Sequence, residues 1–402
     1  MWWTRHDRMW TVRELKDRYD VVIIGGGVHG LAAAYYLGKL GLCNVAVLEK
    51  GYIGGGASGR NTAIIRSNYR TSEGVPFYDE SVRLYEELSA TLGYNVLFSQ
   101  QGHFTLAHTE SAIIGLRVRA EVNKLLGVNS RLIFPDEIKR LVPAIDVSSR
   151  PRYPILAALY HPPGGIIRHD AVVWGYAREA DRLGIAIHPF TEVRGIRVTD
   201  GRVTSVQTNR GDIKTGTVLN ATAGWCSIIS KMVGLELPVV THPLQACVTE
   251  PLIPFLHGVI VSATLHVYVS QTDRGELVIG SEIDPYASYS SRSTLPFLQS
   301  SAAHLLDLFP CLADVKVQRQ WAGICDMTPD YSPIMGEVPG LKGFVLDVGW
   351  GTYGFKAGPV AGKRIAELIA TGTTPALIQP FSITRFCEGR LVGERAAASV
   401  SH

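Results

Sequence analysis

The first regular pattern along the chain is a run of β-branched residues that passes into glycines. Residues 21–24 (VVII) have the continuous apolar pattern of a buried parallel strand, and residues 25–30 (GGGVHG) follow directly. A helical pattern then runs from 28 to about 40, and a second apolar strand over 44–48 ends at Glu49, nineteen residues after Gly30. This order of elements predicts a βαβ unit that binds a dinucleotide.

Each part of this unit has its own physical task. Gly25 permits a tight turn, Gly27 lets the backbone approach a pyrophosphate, and Gly30 lets the helix pack closely on the strand. The positive end of the helix dipole attracts phosphate, and Glu49 accepts hydrogen bonds from a ribose diol. The predicted cofactor contacts in the unit are Gly25, Gly27, Val28, His29, Gly30, Glu49 and Lys50.

A second glycine-rich loop follows at 54–61 (GGGASGRN). It is predicted to open a further helix and to offer backbone N–H groups and Ser58 to the same pyrophosphate from the other side. NAD-binding folds seldom carry this second loop, so the pair of loops favours FAD. A chance turn in a glycine-rich chain is the alternative for a single motif, but it leaves the ordered strand, helix and carboxylate unexplained. The predicted contacts here are Ser58, Gly59, Arg60 and Asn61.

Helical and strand patterns alternate over the rest of the chain. Helices are predicted over 77–92, 110–126, 136–141, 170–183 and 295–308, and strands over 192–198, 202–208, 218–225 and 343–348, with a strand-rich stretch from 238 to 283. A last glycine-rich loop at 349–358 leads into a helix that ends near 369, with Lys356 at its start. The positive end of such a helix can stabilise negative charge on a reduced flavin ring.

These patterns predict an α/β fold, α+β overall, in which a cofactor domain is interrupted by a strand-rich substrate domain. Residues 17–95, 150–235 and 320–390 are assigned to a discontinuous Rossmann-like FAD-binding domain, and residues 96–149 and 236–319 to the substrate and catalytic domain. Residues 1–16 and 391–402 are interpreted as terminal extensions. The length of 402 residues exceeds what one hydrophobic core usually supports, which agrees with two domains.

Composition narrows the class of protein. With 46% hydrophobic residues, 19% charged residues and a net charge of +3, the chain is globular and too weakly basic to indicate nucleic acid binding. The six cysteines form no C-x-x-C pair and have no histidines at metal spacing, so no disulfide framework and no metal site are predicted, and a cytoplasmic location is favoured. Glycines interrupt the most apolar stretch, 21–42, and residues 1–20 lack an apolar signal-peptide core, so no membrane partner is expected.

Taken together, the motifs resemble the glycine oxidase and sarcosine oxidase class of the D-amino-acid oxidase superfamily. The resemblance is carried by residues 23–30, 49–50, 58–61, 222–225 (TAGW), 319–323 (RQWAG), 328–330 (TPD) and 349–356. Residues 160–170 (YHPPGGIIRHD) most resemble the β subunits of heterotetrameric sarcosine oxidases. The resemblance implies an FAD-binding domain of the glutathione-reductase type with a D-amino-acid oxidase-like substrate domain. It adds cofactor contacts at Val193, Ala223, Gly224, Trp225, Gly323, Gly349, Gly351, Thr352, Gly354, Phe355 and Lys356.

The resemblance also implies a second flavin, because the β-subunit family carries FMN covalently on the histidine of an Arg-His-Asp step. His169 occupies that step here, between Arg168 and Asp170. The motif alone favours a surface histidine at a helix start, with Asp170 as the N-cap, and it is the resemblance over the whole chain that favours the FMN attachment. Attachment requires a neutral imidazole, which the neighbouring Arg168 favours.

Two departures from the monomeric enzymes of the class concern FAD. Those enzymes attach FAD to a cysteine where this chain has Gly323, with Cys325 two residues further on, so FAD is expected to be noncovalent. They also carry a lysine for oxygen reduction where this chain has Val278, so oxygen reduction is expected at the second flavin.

Arg66 and Lys356 match the family's carboxylate-binding pair, and a planar guanidinium suits bidentate capture of a carboxylate. The structural alternatives are a surface arginine on the helix after the second glycine loop and a solvated lysine at a helix start. Tyr268 is either a substrate contact or an exposed strand tyrosine. The histidines interpreted as packing or surface residues are His242, His257 and His266.

The resemblance therefore implies oxidation of sarcosine (N-methylglycine) at FAD, with electrons passed to FMN and then to O2 to give H2O2. Glycine and formaldehyde or 5,10-methylenetetrahydrofolate are the implied products. The implied partners are α, γ and δ subunits, with tetrahydrofolate and NAD on the α subunit. Two alternatives remain open: the β subunit of a dye-linked L-proline or hydroxyproline dehydrogenase, and a noncatalytic electron-transfer flavoprotein subunit.

Overall fold

The computed structural model describes residues 9–394, so positions 1–8 and 395–402 of the expected terminal extensions lie outside the described residues. Within this range the helices are α1 (Val28–Lys39), α2 (Gly74–Thr91), α3 (Glu110–Leu125), α4 (Pro135–Leu141), α5 (His169–Arg182), α6 (Cys226–Lys231), α7 (Leu295–Leu308), α8 (Gly354–Thr371) and α9 (Arg385–Glu388). The strands are β1 (Val21–Ile24), β2 (Val45–Leu48), β3 (Ile64–Ile65), β4 (His103–Ala107), β5 (Arg131–Ile133), β6 (Ala157–His161), β7 (Gly165–Ile166), β8 (Ala186–His188), β9 (Val193–Thr199), β10 (Arg202–Thr208), β11 (Gly211–Lys214), β12 (Thr217–Asn220), β13 (Val240–Pro251), β14 (Val259–Ser262), β15 (Val267–Gln271), β16 (Glu276–Ile283), β17 (Val317–Met327), β18 (Ile334–Val338) and β19 (Leu341–Val348).

A nine-stranded sheet contains the predicted βαβ unit. Strands β8, β2, β1, β12 and β19 are parallel neighbours in that order, and every residue of β1 and β2 is buried, as expected for strands covered on both faces. Strand β10 extends this core by a parallel pairing with β19, strands β9 and β11 pair with β10 in the antiparallel sense, and β18 pairs antiparallel with β19. Because the carboxyl ends of parallel strands meet at one edge, the turns that follow β1 and β12 lie side by side.

Helices α1 and α8 approach each other closely through glycines of α8. A Cβ at Gly358 would lie 2.5 Å from Val28, and one at Gly362 would collide with Ala32. This close contact brings the beginning of α8 to the glycine turn at the beginning of α1.

An eight-stranded sheet, ordered β17-β13-β16-β15-β14-β4-β6-β5, is antiparallel except for the pairing of β14 with β4. Phe104, Leu106, Val267 and Leu277 on one of its faces belong to an apolar core. Side chains alternate between the two faces of a strand, so His103, Thr105 and Tyr268 point to the other face.

Several predicted elements need correction. The second glycine loop does not open an α-helix: residues Ala57–Gly59 form a 3₁₀ turn, and the chain then enters β3. The Asn61 side chain accepts a hydrogen bond from the Ala63 N–H at 2.6 Å, and Ala63 has a φ of 55°, which directs the backbone away from helix. The strand expected over 218–225 ends at Asn220 and is followed by a 3₁₀ turn, and α8 begins at Gly354, inside the expected loop.

Strand β6 lies in the segment 150–235 that was assigned to the FAD-binding domain, yet it pairs with β4 and β5 in the eight-stranded sheet. The domain boundaries therefore stay a proposal. Among the described helices, none is long and apolar enough to cross a membrane.

Candidate functional site

A cavity of about 600 Å³ lies where the carboxyl edge of the nine-stranded sheet meets the eight-stranded sheet. Most predicted site residues line it: Gly25, Gly27, Val28, His29, Glu49, Lys50, Ser58, Arg60, Asn61, Arg66, Val193, Ala223, Gly224, Trp225, Gly323, Gly351, Thr352, Gly354, Phe355 and Lys356. Those outside the lining are Gly30, Gly59, Gly349 and His169.

Glycines let the turn at one end of the cavity pack closely on its neighbours. Gly25 has a φ of +115°, and a Cβ there would collide with the carbonyl oxygen of Ala221. A Cβ at Gly27 would lie 2.9 Å from the Ser58 hydroxyl, and one at Gly30 would collide with the Gly25 carbonyl. Gly25 and Gly27 line the cavity at the N-terminus of α1, a position that suits a pyrophosphate, whereas Gly30 packs behind the turn.

Ser58 and Glu49 hold the turns in shape. The Ser58 hydroxyl accepts a hydrogen bond from the Val28 N–H at 2.9 Å, which ties the two glycine loops together. The Glu49 carboxylate accepts hydrogen bonds from the N–H groups of Gly26 at 2.9 Å and Gly51 at 2.8 Å. Both side chains line the cavity and keep lone pairs for a ligand.

His29 connects the glycine turn to α8. Its Nδ1 lies 3.0 Å from the Asp347 carboxylate and its Nε2 lies 2.7 Å from the Gly354 carbonyl. Burial alone would lower the pKa of His29. The charge of Asp347 and its hydrogen bond have the larger combined effect, so the pKa is raised above 6.5. Because both partners accept, both ring nitrogens donate and are committed to the protein, so His29 shapes the cavity wall.

Lys50 and Trp225 form a further part of the lining. The Lys50 ammonium lies 3.2 Å from the centroid of the Trp225 ring, and that ring stacks on Tyr289 at 4.9 Å. Burial lowers the pKa of Lys50, against the opposing effect of Glu49.

Arg66 is buried after β3 and is not a surface residue on a helix, so that alternative is wrong. Its guanidinium donates to the Asn68 side-chain oxygen at 2.9 Å and lies 4.3 Å from the Tyr69 ring centroid. Lys356 stands in the first turn of α8 and faces the same cavity. Burial and then the Arg66 charge hold the pKa of Lys356 well below its usual 10.5.

Arg119, His103 and Thr105 are among the lining residues that were not found from the sequence. Arg119 of α3 is buried, and its Nε donates to the Asn68 carbonyl at 2.7 Å. Burial, followed by the charge of Arg66, lowers the pKa of Arg119 to about 9. His103 and Thr105 come from β4, and their alternation with Phe104 and Leu106 is the period of two that could have indicated this strand.

Gly323 and Cys325 lie two residues apart on β17, and both line the cavity. Burial, with a contribution from Asp326, raises the pKa of the Cys325 thiol. Tyr268 also lines the cavity, so its interpretation as an exposed tyrosine is wrong; burial raises its pKa to about 12 despite a hydrogen bond with Thr62. The three histidines expected to be packing or surface residues, His242, His257 and His266, are not in the lining.

His169 is the first residue of α5, and it is not among the residues that line this cavity or a second cavity of about 450 Å³. The preceding residue, Arg168, links α5 to the second cavity, because its guanidinium lies 2.9 Å from Asp170 and 3.6 Å from Asp273, which lines that cavity. Asp170 stands inside the first turn of α5, so it is not the N-cap. Burial lowers the pKa of His169; Asp170 opposes this and Arg168 reinforces it, which favours the neutral imidazole.

The fold and the cavity define a class of flavoenzyme. The chain belongs to the FAD dependent oxidoreductase (DAO) family, which matches residues 20–368, and it is an FAD-dependent oxidoreductase. The predicted fold class is confirmed by two solved structures. One is L-proline dehydrogenase from P. horikoshii (TM-score 0.89, 29% identity, 94% of this chain and 100% of that chain), and the other is glycine oxidase from Geobacillus kaustophilus (TM-score 0.84, 24% identity, 92% and 99%).

Within this family, the chain is similar in sequence to β subunits of sarcosine oxidases. The chain is 44% identical over 397 residues to sarcosine oxidase subunit beta of Rhodobacter capsulatus, covering 98% of this chain and 95% of that protein. It is also 44% identical over 395 residues to sarcosine oxidase subunit beta of Arthrobacter sp, covering 98% and 97%. The resemblance to the β-subunit family is therefore confirmed.

Proposed function

We propose that this chain oxidises sarcosine at FAD as the β subunit of a heterotetramer with α, γ and δ subunits in the cytoplasm. The observation that carries the proposal is that Arg66 and Lys356, which are distant in sequence, face the same cavity as the glycine turns. The sarcosine oxidase β subunits at 44% identity support the choice of substrate.

The residues of the cavity fit FAD. Gly25 and Gly27 line the cavity at the N-terminus of α1, which suits a pyrophosphate. When bound, FAD supplies the hydride acceptor. The beginning of α8 and Lys356 stabilise negative charge at the other end of the cavity. Gly323 offers no nucleophile and the raised pKa keeps the Cys325 thiol protonated, so FAD is held noncovalently.

The substrate carboxylate is held by Arg66 and Lys356. Arg66 uses Nη1 for Asn68, which leaves further N–H donors for a carboxylate. Arg119 fixes the Asn68 carbonyl, and the burial of these groups excludes water from their charges. The overall reaction is sarcosine, O2 and H2O to glycine, formaldehyde and H2O2, with tetrahydrofolate on the α subunit, which also binds NAD, as the alternative acceptor of the one-carbon unit.

FMN is proposed to be covalently attached to His169. Support comes from the neutral imidazole and from the second cavity of about 450 Å³, whose lining residue Asp273 lies 3.6 Å from the guanidinium of Arg168, the residue before His169. When bound there, FMN supplies a second electron carrier that reduces O2 to H2O2.

Acid precipitation of the purified protein tests both flavin assignments. FAD is expected in the supernatant and FMN in the pellet, and His169→Ala is expected to lose FMN while keeping FAD. His257→Ala, at an exposed histidine outside both cavities, is the matched control. A pellet without FMN from the wild type, or with FMN from His169→Ala, contradicts the assignment.

A second candidate is a dehydrogenase of L-proline, which the P. horikoshii structure favours at 29% identity. Peroxide production separates the two. We expect H2O2 with sarcosine and none with proline. Flavin reduction by proline without peroxide would favour the second candidate.

A further inference from the structure

Strand β4 contributes two buried polar side chains to the cavity, each with a polar atom that lacks a hydrogen-bond partner among the described residues. His103 and Thr105 line the cavity and are only 2% and 5% exposed. The Nδ1 of His103 and the Oγ1 of Thr105 have no hydrogen-bond partner among the described residues. A buried polar atom without a partner costs about 1–3 kcal/mol, so a ligand group is the expected partner.

The register places both side chains on the sheet face that bears Tyr268. Thr105 pairs with Val261 of β14, and Val261 pairs with Tyr268 of β15, so the three lie in one row across the sheet. Phe104, between His103 and Thr105, points into the apolar core on the opposite face. The pair therefore forms part of the cavity floor.

The charges near His103 decide what it can bind. Burial, then the charges of Arg66, His161, Arg119 and Lys356, hold the pKa of His103 well below 6.5. The ring is neutral, so one nitrogen keeps a lone pair. Arginine and lysine side chains only donate and therefore satisfy a carboxylate, whereas an amine N–H requires an acceptor.

We propose that His103 and Thr105 are substrate-contacting, specificity-determining residues that accept hydrogen bonds from the N–H of the bound amine while Arg66 and Lys356 hold its carboxylate. This inference rests on the proposed function and defines its substrate class as primary and secondary amino acids. Ligands that keep the carboxylate but lack an N–H do not use these two acceptors.

The test compares sarcosine with methoxyacetate, which has an ether oxygen in place of the N–H group. The variants are Thr105→Val, which keeps the shape and removes the hydroxyl, Thr105→Ser as its matched control, and His103→Leu. For each flavin-loaded protein, kcat/KM for sarcosine is measured, together with the Kd of methoxyacetate from the change in flavin absorption and the midpoint of thermal unfolding.

Thr105→Val and His103→Leu are expected to lower kcat/KM for sarcosine by about 10-fold or more and to change the Kd of methoxyacetate by less than about 2-fold. Thr105→Ser, which keeps the hydroxyl, should recover most of the kcat/KM that Thr105→Val loses. The unfolding midpoint of Thr105→Val should not fall, because the substitution removes an unpartnered polar atom. A purely structural role would lower that midpoint and weaken both ligands together.

Equal losses for sarcosine and methoxyacetate, or no loss for either, overturn this inference alone if the wild type oxidises sarcosine. A wild type that fails to oxidise sarcosine overturns the proposed function and this inference with it.

Discussion

The two ends of the large cavity are built in different ways. The cofactor end is made largely of backbone: two glycine-rich loops and the N-terminus of α1 line it, and a Cβ at Gly25 would collide with the Ala221 carbonyl. The substrate end is made of side chains, Arg66, His103, Arg119 and Lys356, from four separate segments. A backbone site depends on local conformation, and a side-chain site depends on how distant segments pack.

Because of this difference, we expect substitutions at the two ends to have different effects. A substitution at the cofactor end strains the chain itself, so we expect losses of stability and of FAD together. A substitution at the substrate end removes one charge or one hydrogen bond, so we expect altered kinetics in a protein that still binds FAD.

The largest effect is expected for Gly25→Ala. Both Gly25 and Gly41 have positive φ angles, +115° and +87°, but a Cβ at Gly25 collides with the Ala221 carbonyl and one at Gly41 meets nothing within 4 Å. Gly41→Ala should cost about 1–2 kcal/mol of unfolding free energy, from backbone strain alone. Gly25→Ala should cost more and lose FAD. The FAD content and the unfolding free energy in denaturant are measured for both variants. Equal FAD content and equal unfolding free energy in Gly25→Ala and Gly41→Ala would contradict the claim that the backbone conformation at Gly25 forms the cofactor end.

Arg66→Ala should raise the Michaelis constant for sarcosine steeply and lower kcat/KM by about 100-fold or more, because it removes a buried charge from the carboxylate site. The FAD content should stay at the wild-type level. Arg117→Ala, at an exposed arginine of α3, is the matched control. Unchanged steady-state kinetics in Arg66→Ala would remove its assigned role.

Lys356 should make carboxylate binding depend on pH. Its pKa is well below 10.5, so the ammonium loses its proton, and its charge, before an ordinary lysine does. The Kd of methoxyacetate should therefore rise with pH on the alkaline side, whereas Lys356→Met should bind about tenfold more weakly with a flatter profile. Lys363→Met, which removes a lysine of α8 that lies 3.3 Å from Glu80, is the control. Parallel pH profiles for wild type and Lys356→Met would count against a charged Lys356 in the site.

The smallest effect is expected for His29. Its pKa in the folded protein is raised above the ordinary 6.5, so its contribution to stability is fully present below 6.5 and is lost as pH rises through the folded-state pKa. His29→Gln should remove this fall from the pH dependence of the unfolding free energy. A fall of the same size in the variant would show that His29 is not its origin.

The same contrast explains how much the sequence could predict. The βαβ unit was predictable because its strand, glycine turn, helix and Glu49 are local and in a fixed order. The second glycine loop was predictable, but the helix predicted after it is wrong, because the Asn61 side chain and the positive φ of Ala63 direct the backbone into β3. This turn depends on a side-chain hydrogen bond, which cannot be predicted from the spacing of hydrophobic residues.

The substrate end could be predicted only in part. Arg66 and Lys356 were found by resemblance, but no periodicity brings them together: Arg66 follows β3, Lys356 lies in the first turn of α8, and only the folded chain places both at one cavity. Arg119 has the pattern of any arginine on a charged helix, and its burial follows from the packing of α3 near Asn68. The alternation of His103 and Thr105 with apolar residues indicates a strand, but their place on the sheet face that bears Tyr268 follows from the order of the eight-stranded sheet.

The most direct test of the central claim is an anaerobic titration of the purified protein with sarcosine, followed by the visible absorption band of the flavin. The account predicts that sarcosine bleaches this band in the wild type, and that Arg66→Ala requires about 100-fold more sarcosine for the same bleaching. A band that sarcosine leaves unchanged in the FAD-loaded wild type would contradict the claim and favour a noncatalytic electron-transfer subunit.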